Sequence, residues 1–298
     1  MNSKSIIFLV LKFIALYIVM FIAFSIGGVV MGQQATAEQT SASMLPLIIM
    51  VILNTTVLSY AIIRSKWWGL CLIAVVFITF FGTQTFMSQI ETLIFIPSVN
   101  VGPIFLMGLI TALIFSPLSV IILGKMKQKE ETKKKNLRLI MPGVEWAWKL
   151  CVTAVIYIIL YFTFGYFIAW QNPAVREFYQ GSTKLLAFFP HFRNMLLTNP
   201  RLILIQLLRG ILWAALALPV IRMMKGKVWE TALVVGLLFA VVSSGLLLPN
   251  PYMPEPVRMA HLLEGGTSNF IFGLIAVWLL NRHHSSFRDF FKGVKEEI

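Results

Sequence analysis

Four residues within one apolar segment have the chemistry to bind a charged ligand or exchange a proton. In Val257 to Leu280 (VRMAHLLEGGTSNFIFGLIAVWLL), Arg258, His261, Glu264 and Asn269 interrupt a run otherwise apolar and long enough to cross a bilayer. Ionisable groups there cost about 2.5 to 3.5 kcal/mol each on insertion scales, so each needs a partner or a task. His261 and Glu264 are three residues apart and share one helical face, as an acid–base pair or two ligands on one helix must. A metal site takes three or four protein ligands. Apart from the tail histidines only His191, Glu91 and Glu264 are available to join His261, so neither a metal nor a cofactor is expected.

Two other segments carry matching groups. Gln206 and Arg209 lie inside the apolar run Arg201 to Ile221, and the run from Trp67 ends in the polar stretch GTQTFMSQIET. Spacings of four and three place Gln84, Ser88 and Glu91 of that stretch on one helical face. A guanidinium cannot discard its proton, so Arg209 requires an acceptor. Glu264 is the expected partner and Glu91 the second choice. The expected ligand-binding or proton-exchange set is therefore Arg209, Glu264, His261, Glu91, Gln84, Gln206 and Asn269, with no catalytic residue assigned. In it Arg209 supplies charge, His261 and Glu264 gate or exchange protons, and the amides and Glu91 orient. Gly265 and Gly266 weaken the last helix by about 1 kcal/mol each relative to alanine. They predict either a break that exposes backbone to a ligand or the close packing of a neighbouring helix.

The elements that carry these residues are membrane spans. The chain has 298 residues, 58% of them hydrophobic, with mean hydropathy +0.82, which excludes an ordinary soluble domain. The expected fold is all-α, a polytopic membrane helix bundle of about eight transmembrane helices. They are placed in Phe13 to Met31, Leu45 to Ile63, Trp67 to Ile90, Ile104 to Leu123, Trp146 to Trp170, Arg201 to Ile221, Val228 to Leu248 and Val257 to Leu280. Net charge is +13, but the lysines and arginines sit between apolar runs rather than along one face. They read as orientation charges and no nucleic-acid partner is expected. Cys71 and Cys151 lie inside apolar runs and offer no disulfide framework.

The basic stretch 125–145 separates a four-span half, 1–124, from a second, 146–282, followed by an amphipathic tail, 283–298. With both termini cytoplasmic, Lys4, Arg64, Lys66, the Lys125 cluster, Arg222, Lys225, Lys227 and the tail all fall inside, as the positive-inside rule requires. The basic loop and tail would then meet anionic lipid headgroups of a plasma membrane. The connector from Gln171 to Asn199 contains KLLAFFPHF, which reads as an interfacial stretch. FLMGLI from Phe105 echoes FIFGLI from Phe270, and Lys12 with Gly28 echoes Lys149 with Gly165, the pattern of two parallel four-helix repeats. Gln84, Gln89, Glu91, His261 and Glu264 fall in the outer halves of their spans, Asn54, Gln206 and Arg209 reach about the middle, and the inner halves are almost purely apolar. That asymmetry points to an outward-facing cavity that binds or translocates a small polar or anionic ligand. The alternatives are an intramembrane hydrolase or transferase using Glu264 or Glu91 with His261, and an accessory scaffold.

Overall fold

A computed structural model describes residues 3–30, 37–127 and 140–281. The basic stretch 128–139 and the tail from 282, with their expected headgroup contacts, lie outside the described residues. The helices are α1 (Ser3–Val30), α2 (Ala37–Ile63), α3 (Gly69–Phe81), α4 (Ser88–Phe95), α5 (Val101–Ile122) and α6 (Gly143–Phe167). They continue with α7 (Pro173–Gln180), α8 (Phe188–Thr198), α9 (Arg201–Met223), α10 (Val228–Ala240) and α11 (Glu255–Leu280). Among the described residues there is no strand, and eight segments are long and apolar enough to cross a membrane. The chain is a multi-pass, all-α membrane protein. Its outer surface agrees with this: Ile14, Ile18 and Ile22 of α1 are exposed at helical spacing, whereas Leu16, Met20 and Ala23 on the opposite face are fully buried.

The third and seventh spans are not continuous α-helix. Each begins with 13 α-helical residues, Gly69–Phe81 and Val228–Ala240, and then changes type. The third passes through a π-helical segment, Gly82–Met87, into α4, and the seventh ends in a 3-10 segment, Val241–Leu247. Such departures within a span leave backbone groups off the regular ladder and recur at functional sites.

Within each half the first span packs on the second and fourth, and the third on the fourth. Between halves, the second span packs on the seventh and the third on the sixth. Exchanging the two halves leaves this pattern unchanged. An antiparallel bridge joins Ser65 and Met224, just beyond the second and sixth spans. There Lys66 N donates to Met223 O, 2.6 Å, and Lys225 N donates to Arg64 O, 3.1 Å.

This basic end of the bundle is tied further. Arg64 pairs with Glu230 of α10, with Nη2 to Oε2 2.8 Å, and Tyr60 donates to the same carboxylate at 2.9 Å. Lys125 Nζ donates to Ser65 O at 3.0 Å, while Gly69, at φ +59°, donates its amide to Lys125 O. Because Arg64 is one-third exposed and Glu230 is buried, a double-mutant cycle with Arg64→Ala and Glu230→Ala should give a coupling of about 1 to 2 kcal/mol in detergent unfolding. Additive losses would mean that the pair does not join the halves.

At the opposite, far end, the fifth connector folds into α7 and α8 rather than running as open chain. Arg176 holds the turn around α7 by donating to the backbone oxygens of Trp170, Gln171 and Thr183. Arg258, one of the four residues that mark the last span, has a structural role: its Nη1 donates to Leu246, Leu247 and Leu248 O at 2.9, 3.2 and 2.7 Å. It caps the carbonyl end of the seventh span, the polarity a cation there favours.

Candidate functional site

Arg209 stands about 12 Å along α9 from the far end, from the α-helical rise per residue. Its side chain is 4% exposed. A buried guanidinium must be matched, and Nη1 donates both to Glu91 Oε1 of α4 and to Gln206 Oε1, the latter at 2.8 Å. The Cζ atom lies 5.6 Å from the centre of the Tyr157 ring of α6. Thus the expected order of partners is reversed, and Arg209 pairs with Glu91, the second choice. Glu264 instead faces His261 on its own helix, with Nδ1 3.1 Å from Oε2. The Tyr179 ring touches both Phe95, on the helix that carries Glu91, and His261, which sets the two pairs beside one another.

Aromatic rings wall this group. Tyr157 meets Phe272 of α11 edge-on at 5.1 Å and stacks near Tyr161. Above them, toward the far end, Tyr179 of α7 touches Phe95, Trp170 and the His261 ring at 5.9, 6.1 and 5.6 Å. Burial, and then the negative charges of Glu91 and Glu264, raise the pKa of its hydroxyl. The composition of this wall is the part of the site that sequence reading missed. Tyr157 and Tyr161 are four apart and share a helical face, a signal hidden in a span already rich in rings.

Two members of the expected set lie elsewhere or stand apart. Gln84 donates to Asn54 Oδ1 of α2, and Asn54 Nδ2 donates to Ser244 Oγ of the seventh span at 3.3 Å. Gln84 and Glu91 do not act on one face, because the π-helical segment between them re-registers the helix. Asn269 is half-buried, and its side chain makes no hydrogen bond among the described residues. Nor does the last span break at Gly265 and Gly266: α11 is continuous, and a Cβ on Gly265 would come within 2.8 Å of Ser243 Oγ. Of the two expectations for this glycine pair, close packing is what the structure has.

His191 packs on Trp170 and Tyr166, and burial lowers its pKa. Among the described residues no group of three or more His, Cys, Asp and Glu side chains is placed to hold a metal.

Three buried nitrogens of the group lack partners: Arg209 Nε, Gln206 Nε2 and His261 Nε2. The first two are donors, since Gln206 uses its oxygen on Arg209. If His261 Nδ1 carries the proton toward the Glu264 carboxylate, Nε2 offers a lone pair, and on protonation becomes a third donor. Unmet donors in a buried site are costly, about 1 to 3 kcal/mol each, unless a ligand or water supplies acceptors. Glu91, by contrast, has a side chain 40% exposed, so the group is open on the α4 side.

No family model matches the chain, and neither a curated protein nor a solved structure is found to be similar to it.

Proposed function

We propose that this membrane protein binds a small anion at the Arg209 group and that the group faces outward. The observation that carries the proposal is the pair of buried, unpartnered donors, Arg209 Nε and Gln206 Nε2, beside a guanidinium whose matching carboxylate is half-exposed. An anion would satisfy both donors and replace Glu91 as counter-charge. Gathering of Arg64, Lys66, Lys125, Arg222, Lys225 and Lys227 at the opposite end supports the orientation, with that end cytoplasmic. His261 and Glu264, in direct contact, would exchange the proton that accompanies binding.

The exchangeable packing of the two halves and the matched breaks in the third and seventh spans support reading 1–124 and 146–282 as parallel repeats. Transporters of this architecture place their site at the repeat junction, where Glu91 of one half meets Arg209 of the other. Translocation is accordingly the mode of action favoured here. The His261–Glu264 contact also suits a base that activates water, the hydrolase reading; cleavage of a membrane substrate that is lost with Glu264→Gln would favour it.

The test is equilibrium binding of labelled phosphate, acetate and benzoate to the purified full-length protein and to Arg209→Gln. Binding of at least one anion that depends on Arg209 supports the proposal. Binding of none, or equal binding by the variant, overturns it.

A further inference from the structure

We infer that Glu91 is a tethered stand-in for the ligand's own carboxylate, so that the site takes a carboxylate on an aromatic or apolar body and ligand binding releases Glu91 from Arg209. The inference rests on the anion-binding reading above and specifies both the ligand class and the regulation of that site.

Three observations carry it. The first is ownership. Arg209, Gln206, Tyr157, His261 and Glu264 all belong to the second half of the chain, and Glu91 is contributed by the first. The second is the asymmetry of burial across the pair, with Arg209 4% and Glu91 40% exposed. Arg209 must always hold an anion, whereas Glu91, more exposed and one turn from the far end of its span, is the partner placed to leave. The third is how Glu91 is mounted. Helix α4 packs on α5 and on the π-helical segment that precedes it, and meets the second half through the Glu91–Arg209 and Phe95–Tyr179 contacts. The backbone bridge and the Arg64–Glu230 pair join the halves at the other end. Release of Glu91 therefore removes a link where the halves are held by side chains.

The ligand class follows from what Glu91 leaves behind. A carboxylate already fits Arg209; Tyr157 and Phe272 behind it are buried, and the half-buried rings beside the group are Tyr179 and Phe95, in contact with each other and, through Tyr179, with His261. A planar apolar body attached to the incoming carboxylate would cover these rings, whereas acetate has nothing to place there.

Benzoate binding to the wild-type chain and to Glu91→Gln tests the inference. An internal competitor that holds Arg209 nine-tenths of the time lowers apparent affinity about tenfold, so Glu91→Gln should bind benzoate about tenfold more tightly. Benzoate should also bind more tightly than acetate. Unchanged or weaker benzoate binding by Glu91→Gln overturns the inference, as does failure of benzoate to bind while phosphate binds through Arg209; that last result leaves the anion-binding reading standing. A second measurement does not depend on the fold of Glu91→Gln. In a chain carrying Cys71→Ser, Cys151→Ser, Phe95→Cys and Tyr179→Cys, benzoate should slow disulfide formation between the two introduced thiols. Equal rates with and without benzoate would contradict release of α4.

Discussion

Arg209→Gln is expected to lose anion affinity by ten- to a hundredfold while the protein still folds. The charge-assisted hydrogen bond to an anion is worth about 1.5 to 3 kcal/mol, and each 1.4 kcal/mol is a factor of ten. The folded state should survive, because the carboxylate left behind on Glu91 is partly exposed and lies one turn from the far end of its span. Arg209→Lys should not restore binding. The present side chain serves Glu91 and Gln206 from one nitrogen, keeps Nε as a further donor and lies over the Tyr157 ring. A flexible ammonium cannot reproduce that fork. Equilibrium binding with wild type, Arg209→Gln and Arg209→Lys, each checked for monodispersity in detergent, measures this. Full rescue by lysine would mean that the site needs only a positive charge.

Gly273→Ala should have the largest effect on stability. A Cβ on Gly273 would lie 2.6 Å from Gly236 Cα and 2.8 Å from Gly236 N, so α10 and α11 touch backbone to backbone. No rotamer change can relieve that contact, and the two spans must move apart. Overpacking of this kind costs about 1 to 3 kcal/mol. It also shifts α11, which carries His261 and Glu264, so anion binding should fall together with the midpoint of thermal unfolding. Gly28→Ala is the control: nothing lies within 4 Å of its Cβ position. The change there should be neutral or stabilising, by up to about 1 kcal/mol of helix propensity. Equal behaviour of the two variants would show that the α10–α11 contact is looser than described.

The contrast between these two glycines shows where the sequence is informative. Eight spans follow from hydropathy alone, because a bilayer sets one length for every crossing and leaves few other ways to bury such runs. That Arg209 needs a carboxylate was legible for the same reason: a guanidinium in an apolar run has few alternatives. Which carboxylate it takes was not. Helical spacing puts Gln84 and Glu91 together, and the π-helical segment sends one toward Asn54 and the other toward Arg209. A change of helix type leaves no mark in hydrophobic periodicity over so short a stretch. In Gly265–Gly266 the sequence signalled a weak point without saying whether backbone would open or pack; Ser243 of the neighbouring span occupies the space. Arg258 looked like site chemistry because charge in a span is costly. The oxygens it caps come from a 3-10 end of another span that cannot be read from Arg258's own surroundings.

The outward-facing anion site is tested most directly by Glu91→Cys in a chain whose exposed Cys71 and Cys151 are replaced by serine. Labelled in intact cells with a membrane-impermeant maleimide, this cysteine should react from outside, and an anion that binds at Arg209 should change the rate of that reaction. Reaction only in inverted membrane vesicles, or a rate from outside that no binding anion changes, would contradict it.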